Sequence, residues 1–286
     1  MNAIIMAAGS SSRFVPISLE KPKGLLEVKG EVLIERQIRQ LKEAGVEDIT
    51  VVTGYKARAF EYLREVFGVS LIHNEDYNRY NNTSSVIRVI DRLANSFLCC
   101  SDHYFSRNVF MDASVDSYYA ARYAKGLTGE YCLTIDSHDY IENVSIGGQD
   151  AWYMAGHVFF SDSFSEKFRE IMKREYCKES VRNGYWEDVY IKHLKELPMR
   201  VRRYADSDLF EFDTLDELRG FDNSYVADTR SAILKEICRR MLWKEHDISL
   251  IKKIKMEEKD AIFTLDHQGE TYQVSWTPMK MKIDKL

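Results

Sequence analysis

Residues 2–24 read NAIIMAAGSSSRFVPISLEKPKG, and the way this stretch folds decides how the rest is read. NAIIM (2–6) is an apolar, β-prone run without polar alternation, as expected of a strand buried on both faces of a parallel sheet. It runs straight into Ala8, Gly9, Ser10, Ser11 and Ser12, then Arg13, with Lys21 and Lys23 soon after. Small residues let backbone N–H groups approach an anion closely, and the fixed positive charges neutralise it. A triphosphate suits such a turn better than a sugar alone. By itself a Gly/Ser-rich turn after a strand is most often only a turn, so the cations and the motifs downstream have to carry the difference.

Outward from this turn the chain alternates strands and helices. Residues 31–44 place Ile34, Ile38 and Leu41 at helical spacing and stop at Gly45, after which DITVVT (48–53) is a strand ending at Gly54. Helical spacing returns from Tyr55 to Phe67, followed by the strand VSLIH (69–73), a helix from about Thr83 to Leu93, and the buried strand SFLCC (96–100) that ends at Ser101 and Asp102. Right-handed βαβ units on a mainly parallel sheet follow, which makes an α/β three-layer core. A dinucleotide fold would need G-x-G-x-x-G and an acid closing the second strand, whereas that strand ends VVT, and no G-x-x-x-x-G-K-[ST] occurs.

From about residue 115 the pattern changes to four alternating strands, DSYYAARY (116–123), EYCLTI (130–135), YIENVSI (140–146) and AWYMAGHVFF (151–160), expected as an antiparallel extension with one exposed face. Helical segments at 162–177 and 186–196 precede strands near 199–204 and 209–213, then a helix at 229–242. DAIFTLD and ETYQVSW form a hairpin around HQG in a small separate unit. The chain has 286 residues, 45% hydrophobic, which rules out a disordered or fibrous protein. Forty basic against 45 acidic residues, a net charge of −5 and no long basic block argue against nucleic acid as a main partner. No apolar run reaches the roughly 18 residues of a membrane span. The start, MNAIIMAAG, lacks a basic flank and a cleavage site, so a soluble cytoplasmic protein without membrane insertion is expected. Cys99, Cys100, Cys132, Cys177 and Cys238 form no C-x-x-C pair and read as reduced, buried fillers.

With these features in hand, the chain resembles the sugar-phosphate nucleotidyltransferases, whose opening is A-A-G-x-G-[ST]-R followed by K-P-K. AAGSSSR (7–13) and KPKG (21–24) fill those places, with Ser11 where the pattern has its second glycine. YNRYNNTSS (77–85), CSDHYF (100–105), GYWED (184–188) and FEFDT (210–214) follow in the order found in the CTP:phosphocholine cytidylyltransferases of that family. The resemblance covers roughly residues 1–222. It implies a Rossmann-like nucleotidyltransferase fold, CTP and a small cationic phospho- or phosphono-acceptor as partners, and Mg²⁺ as cofactor.

On this resemblance, Asp102 and Asp213 are the metal carboxylates. Asp102 also lies just past a buried parallel strand, where open α/β sheets place ligands, and a hard carboxylate there suits Mg²⁺. Helix capping is the other use for either acid, with Thr214 as a rival cap beside Asp213. Arg13 and Lys23 are implied for the leaving pyrophosphate and the attacked α-phosphate, with Lys21 secondary. Asn81, Asn82 and Ser85 are implied nucleoside contacts, since amides can read the edge of cytosine, although such asparagines also serve as turn residues. For the acceptor's ammonium the chain offers Glu130 with Tyr131, Trp152 with Tyr153, and Trp186 with Glu187 and Asp188, of which Tyr131, Trp186 and Glu187 form the preferred cage. These aromatics equally suit core or hairpin packing.

His103 reads as a loop residue, and His73, His138, His157, His193, His246 and His267 as structural ones; with no His/Cys cluster, zinc is not expected. Phosphocholine is the first acceptor expected and 2-aminoethylphosphonate the second, ahead of a sugar-1-phosphate substrate and of a nucleotide-binding subunit without turnover. Residues 223–286 form a C-terminal extension similar to the opening of a choline-kinase-like domain. Two alternatives stand for it, a piece of a longer fusion or a remnant in a stand-alone chain, with a structural role or a homodimer contact expected rather than catalysis.

Overall fold

The strand Asn2–Ala7 is an interior strand of a seven-stranded sheet in the computed structural model, which describes residues 1–111, 116–257 and 259–286. The change of pattern expected near residue 115 borders 112–115, outside the described residues. Ile4 and Ile5 are fully buried, each contributing about 1.5–3 kcal/mol. Asp48–Thr53 and Ser96–Cys100 pair with this strand in parallel on either side, so that Ile4 lies opposite Thr50 and Leu98. Across the sheet the order is Arg200–Arg203, Tyr118–Ile135, Ile141–Phe160, Ser96–Cys100, Asn2–Ala7, Asp48–Thr53 and Ser70–His73. The sheet is mixed and mostly parallel, with Ile141–Phe160 antiparallel to both of its neighbours.

Helix Leu33–Glu43 forms as the spacing predicts: Ile34, Ile38 and Leu41 are buried, and Gly45, at φ 79°, ends it in the left-handed conformation that glycine adopts without strain. The helical stretch expected over Tyr55–Phe67 is instead a 3₁₀ turn, Ala57–Phe60, followed by a short helix, Tyr62–Phe67. The four expected strands of the extension are two long ones, Tyr118–Ile135 and Ile141–Phe160. Residues 124–130, including Gly126 at φ 78°, do not turn the chain; their irregularity is absorbed as register shifts within one ladder. The strand expected at 209–213 is only Leu209–Phe210, paired with Tyr104–Phe105.

Two compact units divide the chain, Met1–Gly9 with Ile34–Phe210 and Ser10–Leu33 with Glu211–Leu286. The sequence reading divides the chain at 222, whereas the compact units group 10–33 and 211–222 with the C-terminal part. Local contacts within the second unit explain this grouping. The Lys29 N–H donates to Asp222 at 2.7 Å, Tyr225 donates to the Glu27 carbonyl at 2.7 Å, and Glu20 accepts from the N–H groups of Ala232 and Ile233 that open the helix Ala232–Met241. A four-stranded antiparallel sheet, Ile248–Met256, Ala261–His267, Glu270–Thr277 and Lys280–Lys285, completes this unit and contains the expected hairpin. Strand Ala261–His267 buries Ala261, Phe263, Leu265 and His267 in strict alternation. Among the described residues no helix is long and apolar enough to cross a membrane.

Candidate active site

In the first unit the site is built on the turn of helix Trp186–Lys192. The Asn82 amide donates to Glu187 Oε2 at 3.2 Å while its carbonyl accepts from the Trp186 N–H at 2.8 Å. Tyr119, on the long hairpin, donates to Glu187 Oε1 at 3.2 Å. Glu187 keeps partial exposure as a residue, but its carboxylate is desolvated, and burial raises its pKa to about 7 against the opposing hydrogen bonds. Asp188 accepts from the Tyr131 hydroxyl at 3.0 Å and reaches back to the Tyr185 N–H at 2.8 Å, capping the helix. Gly184 makes room for this: a Cβ there would stand 2.9 Å from an Asp188 carboxylate oxygen.

Several expected contacts are put to other uses here. Trp186 is not part of an open cage: it is 2% exposed, stacked on Tyr119 with centroids 5.9 Å apart and edge-on to Phe160 and Phe168. Its apolar ring area is worth more in the core than in solvent. The Trp152 ring already carries the Arg203 guanidinium at 5.4 Å and the Tyr123 ring at its edge. Asn82 holds Glu187 in place, and the buried Ser85 hydroxyl accepts from the Asn74 amide at 3.0 Å, so the bonds of both residues are internal. Asn81 and Tyr153 are partly exposed, and Glu130 is exposed on the hairpin.

Asp102 follows strand Ser96–Cys100 as expected, half-buried. Cys100, Asp102 and His103 bring ligand atoms within 4.8 Å of one another, so the expectation of no His/Cys cluster is corrected. The spacing C-x-D-H at the end of a strand carries that signal, because the tight turn folds near neighbours in sequence together.

In the second unit Asp213 accepts from Arg13 at 2.7 Å and lies 3.5 Å from Lys23, which also faces Glu211 at 3.7 Å. Lys23 is 6% exposed whereas Arg13 is largely in solvent, and Lys21 is exposed. Burial pushes the Asp213 carboxyl above its ordinary range, against the pull of Lys23 and Arg13. Thr214, not Asp213, caps helix Leu215–Phe221, accepting from the Glu217 N–H at 3.2 Å. Ser11 sits at φ 50°, the left-handed region, so the serine occupies a conformation for which the family pattern keeps a glycine. In the first unit, Ala8 follows strand Asn2–Ala7 with its carbonyl accepting from the Tyr55 N–H at 3.0 Å, and Gly9 is exposed. The partly exposed Ser10 and Ser12 belong to the second unit. Sequence reasoning missed Tyr119 and Glu211. Tyr119 lies in an apolar run that reads only as a strand, while Glu211 stands inside the quoted FEFDT.

A family model described as a MobA-like NTP transferase domain matches residues 3–125. A choline-phosphate cytidylyltransferase of Streptococcus pneumoniae is 31% identical over 219 residues, 77% of this chain and 96% of that protein. A 2-aminoethylphosphonate cytidylyltransferase of Lancefieldella rimae is 34% identical over 234 residues, 80% of this chain and 95% of that protein. The solved structure of the CTP:phosphocholine cytidylyltransferase from Streptococcus pneumoniae matches with a TM-score of 0.75 at 30% identity, over 78% of this chain and 98% of that one. Likeness at that identity and coverage, on the sheet and opening turn described, means that the chain belongs to the nucleotidyltransferase family that includes these cytidylyltransferases.

Proposed function

We propose that this protein transfers the cytidylyl group of CTP to a small amino-bearing phosphonate or phosphate, with 2-aminoethylphosphonate as the preferred acceptor. The Glu187–Asp188 pair carries this reading: two adjacent carboxylates tied to Tyr119 and Tyr131, while the Trp186 ring is committed to the core. A primary ammonium has N–H donors for such oxygens, whereas a quaternary ammonium has none and is held by open aromatic faces. Phosphocholine is the second reading, favoured by the order of the motifs and by the Tyr131 ring.

The acceptor's phosphonate oxygen, already an anion, attacks the α-phosphorus of CTP in line, and pyrophosphate leaves; the nucleophile needs no general base and no covalent enzyme intermediate forms. Lys23 faces the α-phosphate and Arg13 the leaving pyrophosphate, so charge that grows in the transition state meets cations already oriented by Asp213 and Glu211. Asp102 and Asp213 each offer the hard, partly exposed carboxylate oxygens that fit Mg²⁺, which when bound would neutralise phosphate charge. Pyrophosphate release from CTP and Mg²⁺ with 2-aminoethylphosphonate, phosphoethanolamine, phosphocholine and a hexose 1-phosphate tests the reading. The expected order is 2-aminoethylphosphonate first, phosphocholine in first place would support the second reading, and silence with all three amino acceptors would overturn both.

A further inference from the structure

We propose that Lys253, on the C-terminal sheet, is a phosphate-binding residue of the nucleotide site, holding the β/γ end of the triphosphate and then the pyrophosphate; this rests on the CTP reading above. The Lys253 ammonium donates to the Ser12 hydroxyl at 2.8 Å, and Ser12 is the residue before Arg13 in the opening turn. Arg13 and Lys23 each face an acid, Asp213 or Glu211. Among the described residues Lys253 is in ion-pair contact with no carboxylate, and its charge is met only by a neutral hydroxyl. A polyphosphate arriving at this turn therefore finds in Lys253 a cation that needs no acid displaced from it.

A lysine on an exposed strand is ordinarily a solvated surface group. The backbone leading to this one is tied down by hydrogen bonds at Glu245, Ile248 and Leu250. The buried Arg219 guanidinium donates to the carbonyls of Ile248 and Glu245, and the Leu250 N–H donates to Asp216 at 2.8 Å. Register shifts lie on both sides of Lys252 and Lys253, between Ser249 and Lys252 and between Lys253 and Lys255. Such bulges bend an edge strand and re-aim a side chain, here onto the turn.

The test compares the full-length protein with Lys253→Met, Lys253→Arg and Lys280→Met, the last removing the same charge from another strand of the same sheet. Calorimetry with Mg²⁺ measures the binding of CTP, CMP and inorganic pyrophosphate. Lys253→Met is expected to weaken CTP and pyrophosphate by about tenfold, the scale of one charge-assisted contact, with CMP unchanged. Lys253→Arg should restore most of that loss, and Lys280→Met should bind all three ligands as the parent does. Lys253→Met binding CTP and pyrophosphate like the parent overturns the proposal alone, as does an equal loss for CMP or for Lys280→Met. A parent protein that binds neither CTP nor pyrophosphate overturns the nucleotide reading itself and this proposal with it.

Discussion

Tyr119 donates to Glu187 at 3.2 Å, and that bond fastens the long hairpin to the helix that carries the Glu187–Asp188 pair. Further along the same strand Tyr131 donates to Asp188, so the two neighbouring acids are held from one strand at two points.

Glu187, raised to about 7, is largely neutral in the empty site below that pH and ionised above it. The KM for an amino acceptor should therefore fall as pH rises through about 7 and then level off. Glu187→Gln should raise that KM by on the order of a hundredfold and abolish the pH limb. Stability should move the other way. With the folded pKa above the ordinary 4.5, the stability this group contributes is fully present below 4.5 and is lost as pH rises through about 7, so the glutamine variant should be no less stable than the parent at pH 8. Unfolding in urea at pH 5 and pH 8 checks the stability, and initial rates across the same range check the KM.

Lys23 and Arg13 should separate in a different way. Lys23→Met leaves Glu211 and Asp213 without their buried cation, so it should lower kcat by on the order of 10²–10³ and also cost about 1 kcal/mol or more of stability. Arg13, 72% exposed as a side chain, forms a solvated pair, and Arg13→Ala should change stability by at most about 1 kcal/mol while still slowing turnover. Single-turnover rates beside urea titrations decide this, and a Lys23→Met enzyme with near-normal kcat would falsify its role.

Gly54 and Gly9 form a matched pair. A Cβ on Gly54 would stand 2.6 Å from the Tyr77 Cβ and 2.7 Å from the Ala8 carbonyl oxygen, so Gly54→Ala should cost about 2 kcal/mol or more. A Cβ on Gly9 meets nothing within 4 Å, so Gly9→Ala should leave stability nearly unchanged and weaken CTP binding by crowding the approach of phosphate. If Gly9→Ala binds CTP as tightly as the parent does, phosphate does not approach the backbone there.

His157 is buried among Phe97, Phe105, Phe110 and Tyr118, and burial lowers its pKa from the ordinary 6.5 to about 3. The stability it contributes is present above 6.5 and is lost as pH falls toward about 3, because the unfolded chain takes up a proton that the folded one refuses. His157→Leu should flatten the acid side of the stability curve, measured by urea unfolding between pH 4 and pH 7. A curve parallel to that of the parent would mean that His157 is protonated in the folded protein.

The opening strand, the helix at Ile34, Ile38 and Leu41, and the C-terminal hairpin were legible because each is a local periodic pattern closed by its own stop signal. The long hairpin was not, because Gly126 resembles a turn until the facing strand supplies a ladder that absorbs it. Arg13, Lys23 and Asp102 were named from the family resemblance, through the local motifs AAGSSSR, KPKG and CSDHYF that carry them. The use of Asn82 was not, since its partners Trp186 and Glu187 lie more than a hundred positions away.

The linear pattern alone determined the strand-and-turn opening, the mostly parallel α/β sheet and the membership of the chain, because periodicity and ordered motifs depend only on neighbours along the backbone. Tertiary structure decided which side chains remain available to a ligand. Trp186 entered the core, Asn82 was engaged by Glu187, and Lys253 was carried to Ser12, since burial and hydrogen-bond partnership are settled by residues far apart in sequence that meet only when the chain is packed.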